Sequence, residues 1–563
     1  MKKVLAIFLS LLFLSTFLVA CGGDDAPPTG DGDAPAVTDD NGATDDSEVA
    51  ASGADITFTV LAQPMDKVID ISNNEFTDWL EEQTGVHLDF TVVAQNEDGD
   101  QVVAMMMASG EELADILMVR MSYEMQYLYG QQGIIMNLSP LIESYAPNLT
   151  QAFVENPMFA ATATRLDGNI YYFPKFEGCF HCTASQKMWI NRQWLDNLGL
   201  PMPTTTEEFN QTLIAFRDGD PNGNGLQDEI PLSGASGGWR PQLYAFLMNA
   251  FVAFNGPNDP MSVRDGVVFA PFVTDEWRDG LTWMNQMFRE GLIDENAFVQ
   301  DHSAVMTLTT GETVMLGAIP EGHPAMFVPV DNPNIFYFEA VPPLRGPNGV
   351  QYTGHFPSVA KSSCGVAFSS TNHDPVRATQ WADFMLTEEA TLRQIFGVKG
   401  RDWDFNDDPD ILGLNDEKAL MHTFGQAPAF QTTQTNALWD HTGPALWTDR
   451  IFAGLAVIGG DGFDLEKVLF DATFPYVDHF PAEIAFALQY EEEDAQFIAM
   501  TRGIMADFIT QTASEFIIGI RDITSDADWA QYLAEMDGFG LQQYIETVQR
   551  GFDAQQEVLA RFR

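Results

Sequence analysis

ITFTVLAQPMDKVIDISNNEFTDWLEEQTGVHLDFTVVAQNEDGDQVVAMMMASGEELADILMV, residues 56–119, alternates between two periodicities. ITFTVLA, 56–62, is rich in β-branched residues and alternates, which predicts a strand. Glu75–Thr84 puts Phe76, Trp79 and Leu80 on one helical face, with Gly85 as the stop. VHLDFTVVA, 86–94, is a second strand, VVAMMMASG a helix closed by Gly110, and LADILMV, 113–119, a third strand. Strand, helix, strand, helix, strand at these lengths implies an α/β lobe of parallel strands joined by crossover helices.

The pattern continues in KMWINRQWLDNLGL, 187–200, a strand running into a helix. In PTTTEEFNQTLIAFRDG, Thr204 or Thr205 caps a helix, Glu207 or Glu208 answers three residues on, and Phe209, Leu213 and Phe216 form the buried stripe. Residues 275–292 form another amphipathic helix. IFYFEAV reads as a strand, VPPLRGPNG (341–349) as a turn region, and 494–513 and 526–536 as helices. No internal repeat is present.

Upstream, MKKVLAIFLSLLFLSTFLVAC pairs two lysines with an apolar run and small residues before Cys21, the layout of a secretory signal over residues 1–20. Residues 21–55 are acidic and hold almost no large apolar side chain, so they are expected to form a disordered tether. The composition has 81 acids against 27 bases, a net charge of -54. Such a field excludes a nucleic-acid binder, which needs clustered Lys and Arg. Cys179 and Cys182 stand in CFHC; without a thioredoxin-like context or a second ligand pair, a local disulfide or two buried thiols is expected, and Cys364 has no partner at motif spacing.

One loop needs more than turn chemistry. DGDPNGNGLQDEIPL, 218–232, places Asp220, Asn222 and Asn224 in alternation, then Gly225, then Asp228 and Glu229. Alternating oxygens in a tight curl suit a hard cation such as calcium, which takes six to eight of them. The preceding helix end, with its outward carbonyls, adds to the attraction.

The order of landmarks carries a resemblance. LVAC, TGVHLDF, ASGEELADIL, QQGIIMNLSPLIESYAPNL, DGNIYYFP, MWINRQWLDNLGLPMPTTTEEF and DPNGNGLQDEIP occur in sequence. Together they resemble the extracellular solute-binding proteins of sugar ABC importers (family 1), in particular the large LipO-like and alginate-oligosaccharide-binding group. The resemblance implies an α/β two-lobe fold of the periplasmic-binding-protein type 2 class with a hinge between lobes. It implies a lipid-anchored, extracytoplasmic protein acylated at Cys21, working with ABC permease subunits. Lobe 1 is expected over 56–178 and 336–385, and lobe 2 over 179–335 and 386–563. In that group the loop binds structural calcium; carried over, the ligands are Asp220, Asn222, Asn224, the Leu226 carbonyl, Asp228 and Glu229. The loop departs from an EF-hand at its twelfth position, Pro231.

A sugar presents hydroxyls at its rim and an apolar face, so its site needs flat rings and fixed polar groups. Tyr171 and Tyr172, entering the inter-lobe crossing, are the first candidates, followed by Trp239 in the glycine-rich GASGGWRPQ. Trp403, Trp439 and Trp447 lie in irregular segments, while Gln186, Lys187, Arg240 and Asn436 are candidate hydrogen-bonding groups. Trp79, Trp189 and Trp283 are assigned to the core, and alanine at Tyr172 or Trp239 is expected to weaken binding without unfolding. Two rivals stand beside the sugar reading: a peptide or other solute on the same scaffold, and a glycoside-active enzyme with paired carboxylates. No G-x-S-x-G, H-E-x-x-H or P-loop is present.

Overall fold

Parallel pairing of Ile56–Ala62 with Val86–Val92 and with Ile116–Met118 builds the first sheet, as the alternation of strands and crossover helices in the opening stretch implies. In this computed structural model, residues 55–109, 113–425, 434–440, 442–458 and 464–562 are described. The helix Glu75–Thr84 starts on an Asn74 cap and ends on Gly85 in the left-handed conformation. Its neighbour begins earlier than expected, at Glu97, and runs to Ser109; the expected stop, Gly110, lies outside the described residues, as do the signal, Cys21 and the tether through Ala54.

Six strands make up this sheet, in the order Leu446–Trp447, Phe173–Glu177, Ala360–Phe368, Ile116–Met118, Ile56–Ala62, Val86–Val92. Ala360–Phe368 runs antiparallel to both neighbours and carries an irregularity between Lys361 and Gly365. A second sheet has four strands in the order Phe338–Val341, Lys187–Asn191, Leu316–Glu321, Ile230–Leu232. Each sheet has its own core: Phe58, Val60, Phe173 and Trp381 in the first lobe, and Met188, Phe209, Phe246, Trp277 and Phe516 in the second. A smaller three-stranded sheet, Trp403–Phe405, Met421–Phe424 and Leu455–Ile458, forms a third cluster with the helix Glu388–Phe396.

The division of the chain between the sheets corrects the expected boundaries. Phe338–Val341 pairs antiparallel with Lys187–Asn191, so the segment 336–385 is shared by both sheets. Leu446–Trp447 pairs with Phe173–Glu177, and Leu386 and Trp439 enter the first lobe's core, so parts of the expected second-lobe segment 386–563 belong with the first sheet. Periodicity marks a strand but not its partner, which non-local packing decides. Segments 178–186 and 342–359 run from one sheet to the other, and the later helix Leu465–Val477 packs Leu465 and Leu469 on the second sheet.

The 206–218 helix follows its cap closely. Thr205 Oγ1 accepts from the Glu208 N–H at 3.1 Å, while the Glu208 carboxylate accepts from Thr204 N–H and Oγ1 at 2.8 and 2.7 Å. Phe209, Leu213 and Phe216 are fully buried beneath it. The C-terminal helices are longer than expected, Glu492–Ile518 and Asp526–Gly538, and a further one, Leu541–Ala560, follows. No described helix is long and apolar enough to cross a membrane.

Candidate ligand site at the junction of the lobes

Trp239 owes its position to glycines. Gly237 and Gly238 take φ of 79° and 104°, a region that costs a side-chained residue heavily, and so turn the chain sharply after Leu232. The Gly322 N–H then donates to the Trp239 carbonyl at 2.7 Å, and the indole lies on Gly322 so closely that a Cβ there would sit 1.9 Å from the ring. His181 stands edge-on to the ring at 6.2 Å, and His323 tilts against it at 5.7 Å. The indole is only half-buried. A flat ring held rigid yet partly open is what a sugar's apolar face requires.

Each neighbour comes from a different part of the chain. His181 lies in the crossing segment 178–186, where Cys179 and Cys182 form a disulfide. His323 follows the strand Leu316–Glu321, and Glu466 lies in the first turn of Leu465–Val477. Arg240, beside Trp239, adopts φ 67°, a strained conformation for a non-glycine residue. Its Nε donates to Ser185 Oγ at 3.2 Å, and its guanidinium lies 3.8 Å above the Phe356 ring. Arg240 therefore ties both crossing segments to the second lobe. Gln186, sharing the first of them, donates to the Asn255 carbonyl at 2.9 Å and accepts from Asn249.

Burial dominates the electrostatics here. The Glu321 side chain is fully buried with His302 Nε2 2.5 Å from Oε1, and burial pushes its carboxyl up to about 9. Glu466 is pushed up to about 8 by burial and by Asp464. His323 is drawn down to about 4, Lys187 to about 7, and His181 well below its ordinary range, burial coming first in each case. His181 Nδ1 and Glu466 Oε2 stand 3.4 Å apart, within ion-pair range, yet burial opposes charge on both, so at neutral pH we assign a neutral pair. His181 Nδ1, Glu321 Oε2, His323 Nδ1 and Glu466 Oε2 have no hydrogen-bond partner among the described residues. Each such atom costs about 1–3 kcal/mol until something bonds it.

The sign of the Glu466 shift gives a test. A carboxyl raised in the fold contributes stability that is fully present below its unfolded value near 4.5 and is lost as pH rises through about 8. Glu466→Gln cannot ionise, so it should melt with the parent at pH 5 and above it at pH 8–9. The gap is bounded by about 1.4 kcal/mol per pH unit. Parallel melting curves across that range would mean that Glu466 is charged in the fold.

On the first lobe's side, Lys67 pairs with Asp440 at 3.6 Å, and Lys175 and Lys361 each reach Glu177 at 3.6 Å. The remaining sequence candidates do not face this junction as open rings. Tyr171 packs over Gly130, where a Cβ would come within 2.4 Å of the ring, and its hydroxyl donates to Asp167 at 2.6 Å. Tyr172 is buried against Gly365 and donates to the Val119 carbonyl at 2.8 Å. Trp403 and Trp439 are fully buried, their indole N–H groups donating to the Gly397 carbonyl and Thr77 Oγ1; Trp447 packs with Phe396 and Phe452. Asn436 accepts from the Asp70 N–H at 2.8 Å and braces the start of the 75–84 helix. Lys187 is buried, with Nζ donating to the His181 and Ala184 carbonyls.

These rings are therefore core elements, and the expectation for Tyr172 is corrected. Trp439→Ala and Tyr172→Ala should each cost about 3–5 kcal/mol of stability, read as a lower denaturation midpoint. His302, Glu321, His323 and Glu466 were not among the sequence candidates. The one available signal was an acid, Glu321, ending the strand LGAIPE just before Gly322 and His323.

Away from the junction, the 218–232 loop curls through Gly223 and Gly225, at φ 73° and 77°. Asp220 accepts from the Asn224 and Gly225 N–H groups at 3.0 Å, and Asn222 and Asn224 donate to Asp228 at 3.0 Å. The Leu226 N–H donates to Asn224 Oδ1 at 2.7 Å. Both Glu229 carboxylate oxygens are buried without a partner, and burial first, then Asp228 and Asp220, hold this carboxyl above its ordinary range. A donor set that leaves one carboxylate orphaned and two more nearby fits a divalent cation.

Comparison with known proteins places this architecture. The family signature described as bacterial extracellular solute-binding protein matches residues 64–392. The fructooligosaccharide ABC transporter substrate-binding protein FusA of Streptococcus pneumoniae is 28% identical over 499 residues, covering 85% of this chain and 86% of the relative. Lipoprotein LipO of Bacillus subtilis is 26% identical over 390 residues, covering 66% of this chain and 72% of LipO. An ABC-transporter-associated solute-binding protein from Bifidobacterium longum infantis, described as HMO binding, superposes with a TM-score of 0.72 at 20% identity, covering 89% of this chain and 99% of that one. With more than half of its length matched by the signature, this chain belongs to the bacterial extracellular solute-binding protein family.

Proposed function

We propose that this chain captures an oligosaccharide between its lobes and delivers it to the transmembrane subunits of an ABC importer. The observation that carries this reading is Trp239, laid on Gly322 with part of its ring open and flanked by His181 and His323. The ring supplies the apolar platform, and the unpartnered atoms supply groups for hydroxyls. FusA, whose name assigns it fructooligosaccharides, supports the ligand class. Hinge closure over the ligand is the motion that two lobes joined by crossing segments allow. Cys21 anchors the chain by acylation on the outer face of the bacterial membrane in this reading. No catalytic residue is assigned.

The 218–232 loop is assigned structural calcium held by Asp220, Asn222, Asn224, the Leu226 carbonyl, Asp228 and Glu229. Its support is the orphaned Glu229 carboxylate. Calorimetry of the protein against a panel of oligosaccharides and short peptides tests the ligand class. Micromolar binding of a saccharide supports it, and binding of peptides alone overturns it.

A further inference from the structure

Each basic side chain placed at the junction above already has a partner. Lys187 is held by two carbonyls, Arg240 by Ser185 and the Phe356 ring, Lys67 by Asp440, and Lys175 and Lys361 by Glu177. At the junction one atom on each of two carboxyls and two imidazoles lacks a hydrogen-bond partner, while Glu321 keeps His302 on its other oxygen and Glu466 Oε2 stands 3.4 Å from His181 Nδ1.

We propose that the Trp239 site takes an uncharged glycan and rejects a glycuronate of the same length. This rests on the oligosaccharide reading above and narrows it. A sugar hydroxyl both donates and accepts, and so do a protonated carboxyl and a neutral imidazole. Glu321 Oε2 and His323 Nδ1 can therefore each bond a hydroxyl without moving charge into the site, while His181 Nδ1 and Glu466 Oε2 face each other at 3.4 Å. A uronate brings a carboxylate into the same buried space, where it needs a cation of its own. Each cation within reach would have to leave an acid, a ring or a pair of carbonyls to serve it. The upward displacement of both carboxyls and the downward displacement of the imidazoles agree with a site kept uncharged at neutral pH. At longer range, a net charge of -54 repels a polyanion before it arrives.

The test is calorimetric titration of the intact protein with fructan, glucan and galactan trisaccharides on one side and trigalacturonate on the other. One neutral trisaccharide is expected to bind, and trigalacturonate to bind at least about 100-fold more weakly. Trigalacturonate within about tenfold of the best neutral ligand overturns the selection while leaving the oligosaccharide reading intact. Absence of binding by every saccharide overturns that reading itself, and the selection with it. Glu321→Gln, which still donates and accepts, should keep neutral-ligand affinity within about threefold, while Glu321→Ala should lose at least about tenfold. Unchanged affinity in Glu321→Ala shows that these groups do not do the selecting. Should that variant fail to fold, His323→Ala, at a half-buried position, makes the same comparison.

Discussion

Trp239→Ala is expected to lower affinity for the bound oligosaccharide by about 30- to 1,000-fold, the 2–4 kcal/mol typical of a central aromatic anchor. Its melting temperature should change little, because the indole is half-buried and belongs to none of the lobe cores. The same ring can be disturbed without being removed. A Cβ at Gly322 would lie 1.9 Å from the indole, so Gly322→Val must push Trp239 off its seat. Affinity should fall with the tryptophan still present, and the intrinsic fluorescence of the free protein should shift. Trp239→Phe keeps a flat face and should recover much of the loss. If both Trp239→Ala and Gly322→Val bind like the parent, the platform lies elsewhere in the cleft.

That expectation singles out one of ten candidate residues, and the reason is physical. Caps and periodicity act within a few residues, so Gly85, Thr205 and the stripe Phe209, Leu213, Phe216 were legible from the sequence. Whether a ring is open or packed depends on what meets it from far along the chain. Tyr172 meets Gly365, Tyr171 meets Gly130, and Trp439 meets Thr77, and no local pattern announces such pairs. Trp239 stands out in the sequence because a bulky residue among glycines is a local oddity, although the glycine it rests on, Gly322, is remote. The buried acids were harder still. Glu321 and Glu466 look like ordinary surface residues in an acidic chain until packing removes their water. Lobe membership failed in the same way, since IFYFEAV reads as a strand but cannot declare that it pairs with Lys187–Asn191.

Calcium removal should produce the second large effect, a fall in melting temperature of about 8 °C. A cation present at 1,000 times its dissociation constant stabilises the native state by about 4 kcal/mol, and about 2 °C per kcal/mol is usual for a body of one lobe's size. The loop joins the 206–218 helix to Ile230–Leu232, an edge strand of the second sheet, so its ordering secures that strand against Leu316–Glu321. Glu229 makes the effect diagnostic. Without a cation its buried carboxylate faces Asp228 and Asp220, and since its value is raised in the fold, its stability contribution is lost as pH rises. Glu229→Gln relieves that cost but also removes a ligand. The variant should therefore melt above the parent in chelator at pH 8 and below it in excess calcium. A structural carboxylate with no cation to bind would move the melting temperature in one direction in both buffers. Equal parent curves with and without chelator would remove calcium from the loop altogether.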